Sequence, residues 1–156
     1  MEQTCSKARA VRLALSGIPL FYDVTLRPGF EDRTTVDELL CADAVVKCNE
    51  AELDWLSREL ALSGDPAEAL LRRYPLTSIC VTLGADGCRI HANGHTVYER
   101  VPTVPAIGTV GAGDAFSAAL LHGFTAWRWM GRRLRRLLVH WWKGCRRIGF
   151  KLWFGQ

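Results

Sequence analysis

The residues with the most chemical potential form one stretch, Gly108-Thr109-Val110-Gly111-Ala112-Gly113-Asp114-Ala115-Phe116. Three glycines in six residues make a loop that can bend tightly and approach a ligand closely. Ala115 to Phe124 then reads as the first turns of an apolar helix. A glycine loop feeding a helix start suits a phosphate, because free N–H groups and the positive end of the helix dipole converge there. Asp114 sits at that start, and a carboxylate beside a bound phosphate is placed to accept a proton from an attacking hydroxyl. The structural reading of the same residue is an N-cap, a position Asp favours.

A second polar group is Asn49-Glu50-Ala51-Glu52. Its two ends lie one helical turn apart, on the same face. Asn followed three residues later by Glu is also the signature of a capping box. A third segment, Asp23-Val24-Thr25-Leu26-Arg27-Pro28-Gly29, lies at the C-terminal end of an apolar run. Open α/β sheets bind ligands at such strand ends.

The elements that must position these groups follow from pattern. Residues 5–16 predict a helix closed by Gly17, and Ile18 to Val24 a strand. Thr34 to Cys41 predicts a short helix capped by Thr34 or Thr35. Asp43 to Cys48 is the next strand, and Asn49 opens a helix running on through Leu53, Trp55 and Leu56. Asp65-Pro66 caps and starts another helix, which ends near Tyr74-Pro75. Ser78 to Leu83 is a buried-type strand, and Gly84 to Gly87 turns the chain into Cys88 to Ala92. Asn93-Gly94 is a strong hairpin signal that pairs His95 to Arg100 back. His91 and His95 flank that turn and are expected to be exposed hairpin residues, since no third metal-binding group lies nearby in sequence.

Composition limits the choices. The chain has 156 residues, enough for one domain, and 49% hydrophobic content supports a packed core. No apolar run is long enough to span a membrane, and the first residues do not read as a secretory signal. Six scattered cysteines (5, 41, 48, 80, 88 and 145) fit no zinc spacing, so they read as reduced, mostly buried thiols of a cytoplasmic protein. The net charge of +4 hides a division. Residues 1–126 hold 11 Lys/Arg against 16 Asp/Glu, a net of −5, whereas residues 127–156 hold 9 Lys/Arg and no acid, +9.

Gly111-Ala112-Gly113-Asp114-Ala115-Phe116 before an apolar helix resembles the signature of the PfkB (ribokinase-like) carbohydrate kinases. Further segments resemble that family in the right order. Asp23 to Arg27 is similar to its D-x-N-x-R segment, with Thr25 in place of Asn. Asn49 to Glu52 is similar to its N-x-x-E motif, and Val81-Thr82-Leu83-Gly84-Ala85-Asp86-Gly87 to its nucleotide-site strand. The likeness runs from about residue 10 to residue 124 and corresponds to the C-terminal half of a family member.

The resemblance implies an α/β, Rossmann-like fold: a mostly parallel sheet flanked by helices, truncated relative to the family, with residues 88–100 as an antiparallel addition. It implies ATP and Mg²⁺ as cofactors and phosphoryl transfer to a sugar or sugar-acid hydroxyl. Asp114 would be the catalytic base, and Gly111, Ala112 and Gly113 the anion hole. Asn49, Thr82 and Gly84 would contact the nucleotide. Glu52, with Asn49, would hold Mg²⁺ through water, and Arg27 would touch a sugar or phosphate. Each position keeps a plain alternative: a capping box for Asn49 and Glu52, an ordinary strand residue for Thr82, a loop arginine paired with Asp32 or Glu31 for Arg27. Gly108 stands where the family usually has an Asp that helps bind a monovalent cation. The Asp23 segment looks most like the fructokinase and 2-keto-3-deoxygluconate kinase branches.

The tail from Trp127 differs. It holds five of the six Trp residues, and Arg132 to Leu138 fits a basic amphipathic helix. A membrane- or nucleic-acid-binding arm and sequence not selected to fold here are both open readings; the main domain predicts neither partner, and dimer formation stays open. Three functions are therefore expected: a sugar kinase, a catalytically inactive remnant that at most binds nucleotide, or a membrane- or nucleic-acid-binding protein acting through its basic tail.

Overall fold

The computed structural model describes residues 20–27, 29, 32–41, 44–92, 94–100 and 111–128, the last six as backbone only. The expected helix at 5–16, residues 108–110 and the tail beyond 128 lie outside the described residues. The chain divides into two compact units, residues 1–98 and 99–156.

The first unit is built on a sheet in the order β1-β2-β3-β4-β5. Its strands are β1 (Leu20–Asp23), β2 (Ala44–Asn49), β3 (Ser78–Thr82), β4 (Cys88–Ala92) and β5 (His95–Glu99). β1, β2 and β3 run parallel, and β4 is antiparallel to β3. This is the expected layout, a parallel core with an antiparallel addition.

Among the described residues, three helices cover one face: α1 (Arg33–Leu40), α2 (Glu50–Glu59) and α3 (Pro66–Arg73). Each buries an apolar stripe (Val36 and Leu40, Leu53 and Leu56, Ala67 and Leu70) against Val46, Cys48, Ile79 and Val81. Full burial of one such Leu stabilises by roughly 1.5–3 kcal/mol, so this layer carries much of the unit's cohesion. The opposite sheet face is also buried at Val45, Lys47, Ser78, Cys80, Cys88 and Ile90. Burial on both faces is the usual condition of parallel strands and explains their near-continuous apolar runs.

The helix starts are chemically determined. Asp65 accepts a hydrogen bond from the Glu68 N–H at 3.0 Å with Pro66 in the first turn, as its sequence predicts. α1 differs from expectation: its N-cap is Asp32, not Thr34 or Thr35. The Asp32 carboxylate accepts from the Thr34 and Thr35 N–H groups at 3.2 and 3.3 Å, and from the Thr35 hydroxyl. A carboxylate one turn earlier reaches two free amides at once and outcompetes either hydroxyl. α1 and α3 are joined where the Tyr74 hydroxyl donates to the Asp37 carboxylate. Arg73 closes the end of α2 by donating to the Leu60 carbonyl at 2.6 Å.

His91 corrects the sequence reading. It is buried, not exposed, because β4 is an inner strand under α3; His95, on edge strand β5, is exposed as expected. His91 Nδ1 lies 3.0 Å from the Thr96 hydroxyl.

The second unit contributes α4 (Ala112–Arg128). It starts three residues earlier than its apolar run predicts, so Ala112, Gly113 and Asp114 belong to the helix. Among the described residues no helix is long and apolar enough to cross a membrane.

Candidate functional site

In the first unit the C-terminal ends of β2 and β3 lie side by side, with Asn49 paired in register with Thr82. Both are the last residues of their strands, so the chain leaves the sheet at adjacent points. Asn49 leaves into α2. Its Oδ1 accepts from the Glu52 N–H at 2.8 Å, and Glu52 Oε2 accepts from the Asn49 N–H at 2.7 Å. The capping box read as the plain alternative is therefore formed in full. It leaves Nδ2 of exposed Asn49 and Oε1 of half-buried Glu52 outside the box.

Thr82 donates to the Cys48 carbonyl at 3.4 Å. Two residues on, Gly84 opens a one-turn 3-10 segment with φ +57°, and a Cβ built on it meets nothing within 4 Å. The positive φ favours glycine, and the open space lets a ligand approach the backbone.

Arg27 is exposed on the turn after β1. Asp32, one of its two suggested partners, instead caps α1. Glu31 lies outside the described residues.

Two residues here were missed as a pair. Lys47 Nζ donates to both carboxylate oxygens of Asp23, at 2.9 and 3.2 Å. A lone cation inside the apolar run Ala-Val-Val-Lys-Cys was the available signal, because a buried charge needs a partner. Tyr22 is a further neighbour: burial, then the carboxylates of Glu52 and Asp23, push its phenol up to about 12, so it stays neutral. The Cys48 thiol is pushed up to about 12, chiefly by burial. Hydrogen bonding to Cys88, then burial, raises the Cys80 thiol as well. These thiols are protonated and inert near neutral pH. Cys41, Cys48, Cys80 and Cys88 are all free, as expected of reduced cysteines.

In the second unit Gly111 precedes α4 with φ +79°, a conformation that favours glycine. The Ala115 N–H donates to the Gly111 carbonyl at 2.9 Å, which closes the first turn. The N–H groups of Ala112, Gly113 and Asp114 therefore have no intrahelical acceptor and point out of the helix start. Asp114 is exposed and stands at the third helical position. It is not the N-cap, so the cap reading of Asp114 does not describe this helix. Its carboxylate adds negative charge where the dipole favours it.

Comparison with known proteins assigns this arrangement to a family. The model of the pfkB family carbohydrate kinases matches residues 5–138. The chain belongs to the pfkB family of carbohydrate kinases. The match continues past residue 124, where the sequence likeness above stops, in keeping with α4 running unbroken to Arg128.

Relatives of this pfkB-family chain include fructokinase-1 of Oryza sativa, 33% identical over 78% of this chain and 40% of that protein. The 1-phosphofructokinase of Escherichia coli is 35% identical over 54% of this chain and 28% of its own. The chain spans 28% to 53% of the length of the first curated relatives it matches. Among solved structures, a Xylella fastidiosa fructokinase with bound ATP has a TM-score of 0.63 at 26% identity, over 79% of this chain and 39% of its own. A Thermotoga maritima ribokinase has a TM-score of 0.62 at 20% identity, over 83% and 42%. The pfkB-family chain thus has the ribokinase-like fold.

Proposed function

We propose that this pfkB-family chain carries out ATP-dependent phosphoryl transfer to a hydroxyl of a sugar or sugar acid. The observation that carries the reading is the first turn of α4, where the N–H groups of Ala112, Gly113 and Asp114 lack intrahelical acceptors and the Asp114 side chain is exposed. Asp114 takes the proton from the attacking hydroxyl. The amides of Gly111, Ala112 and Gly113 stabilise charge developing on the transferred group. Asn49, Thr82 and Gly84 contact the nucleotide; the unobstructed Gly84 backbone supports that role. Glu52 Oε1 and Asn49 suit water-mediated Mg²⁺, which would neutralise phosphate charge, because hard oxygen donors are what that ion prefers. Arg27 contacts the acceptor, and its exposure at a strand end fits that task. The chain acts in the cytoplasm, and fructose is the first acceptor to test, given the fructokinase relatives.

The test measures two things on the purified chain: the melting shift with Mg·ATP, and ADP release across a sugar panel beginning with fructose. A melting rise together with sugar-dependent ADP release is the expected outcome. A melting rise without turnover selects the second reading, a nucleotide-binding remnant. Neither response overturns both.

A further inference from the structure

We infer that the Asp23–Lys47 ion pair is a strut that holds the acceptor turn, residues 24–27, in fixed orientation to the nucleotide end of β2. Lys47 is then a positioning residue and not a phosphate ligand. The inference rests on the kinase reading for what the two ends bind; the strut itself rests on geometry.

Asp23 and Lys47 are register partners on neighbouring parallel strands, so their side chains share one sheet face. Their side chains are only 21% and 8% exposed. The main chain repeats the link: the Val24 N–H donates to the Lys47 carbonyl at 2.9 Å. The Thr25 N–H then donates back to the Asp23 carbonyl at 2.9 Å, making a tight turn as the chain leaves the sheet. Val24 is fully buried, whereas Thr25 and Arg27 are exposed. Two residues past Lys47 stands Asn49, the cap of α2. One residue therefore grips the start of the acceptor turn by side chain and backbone, and leads directly into the nucleotide end.

Stability alone does not call for charges here. Buried ions cost desolvation, and an apolar pair of similar volume is often neutral or stabilising in such a place. What the charges add is direction, since an ammonium held by both oxygens of one carboxylate fixes the rotation of the turn about the strand. Two of the three ammonium protons point at Asp23, and the side chain's burial leaves it little reach toward a phosphate.

The experiment uses the full chain with Lys47→Met, Lys47→Arg and the pair Asp23→Leu/Lys47→Met. Readouts are amide exchange of residues 20–27, Mg·ATP affinity by calorimetry, and KM and kcat for the accepted sugar. In Lys47→Met, exchange at 20–27 should speed up about tenfold, as expected of a turn released from its tether. The sugar KM should rise about tenfold with kcat within about threefold, the signature of lost acceptor binding. Mg·ATP affinity should stay within about threefold, and Lys47→Arg should recover the sugar KM. The apolar pair should recover melting temperature but not KM, and it keeps the test open where Lys47→Met fails to fold.

Two results overturn the strut. One is Mg·ATP affinity falling about tenfold or more with exchange unchanged, which would make Lys47 a phosphate ligand. The other is recovery of the sugar KM by the apolar pair. A parent that binds no nucleotide and turns over no sugar defeats the kinase reading instead, and the exchange measurement then decides the strut by itself.

Discussion

The strand ends of the first unit and the first turn of α4 treat their polar groups in opposite ways. At the strand ends, Asn49 and Glu52 satisfy each other, Thr82 bonds the Cys48 carbonyl, and Lys47 is held by Asp23. At the start of α4, the N–H groups of Ala112, Gly113 and Asp114 lack intrahelical acceptors, and the Asp114 carboxylate is exposed. The polar groups of the first region are committed to partners within the fold, whereas the amides at the start of α4 have none within their own helix. Under the proposed phosphoryl transfer this division is reasonable. Binding groups benefit from being held in place, and donors aimed at developing charge serve best when fixed in position with their hydrogen-bonding capacity still available.

The largest expected effect comes from the uncommitted region. Asp114→Asn should lower sugar-dependent ADP release by ~10²–10⁴-fold, the usual worth of a general base, while the Mg·ATP melting shift is kept. Equal turnover in parent and variant would remove Asp114 from the chemistry. Gly111→Ala should come next, because an L-residue at φ +79° costs ~1–2 kcal/mol. A lowered melting temperature would show it, and no change would mean that the start of α4 tolerates a different backbone.

The committed region allows structure and binding to be separated. Asn49→Ala should destabilise by ~0.5–2 kcal/mol through loss of the cap, read as a shifted denaturation midpoint. Glu52→Gln keeps a side chain able to close the box but removes the charge suited to Mg²⁺. It should leave the midpoint nearly unchanged and weaken Mg·ATP binding. If it destabilises instead, with binding intact, the box is purely structural.

The smallest effect concerns pH and the buried face of the sheet. Burial holds His91 below its ordinary 6.5, partly opposed by the nearby carboxylates of Asp65 and Glu68 and reinforced by Arg89. The unfolded chain therefore takes up the proton first. The contribution of neutral His91 is complete above 6.5 and is lost as pH falls from there toward the lower folded value. Urea midpoints at pH 7.5 and 5 should differ more in the parent than in His91→Gln; equal differences would remove His91 from the acid response.

Where local chemistry decides, the sequence was legible. Asp65-Pro66 and Asn49-x-x-Glu52 place helix starts within one turn of chain, and the structure shows both caps formed. The α/β layout and the antiparallel addition after Gly84 were readable for the same reason, since pattern and turn chemistry act over short distances. Two local readings missed. The cap of α1 passed to Asp32 because a carboxylate reaches two amides. α4 began at Ala112 because the Gly111 carbonyl accepts from the Ala115 N–H, a backbone bond that the apolar run starting at Ala115 does not signal.

The amino-acid sequence by itself determined the kinds of element, their order and the residues with chemical potential. Hydrophobic period, caps and turn residues encode those within a few positions. Only the tertiary structure decided that Asn49 lies beside Thr82, that Lys47 faces Asp23 across 24 residues of chain, and that His91 is buried. These depend on strand register and on which face a helix covers, and both are set by contacts between segments distant in sequence.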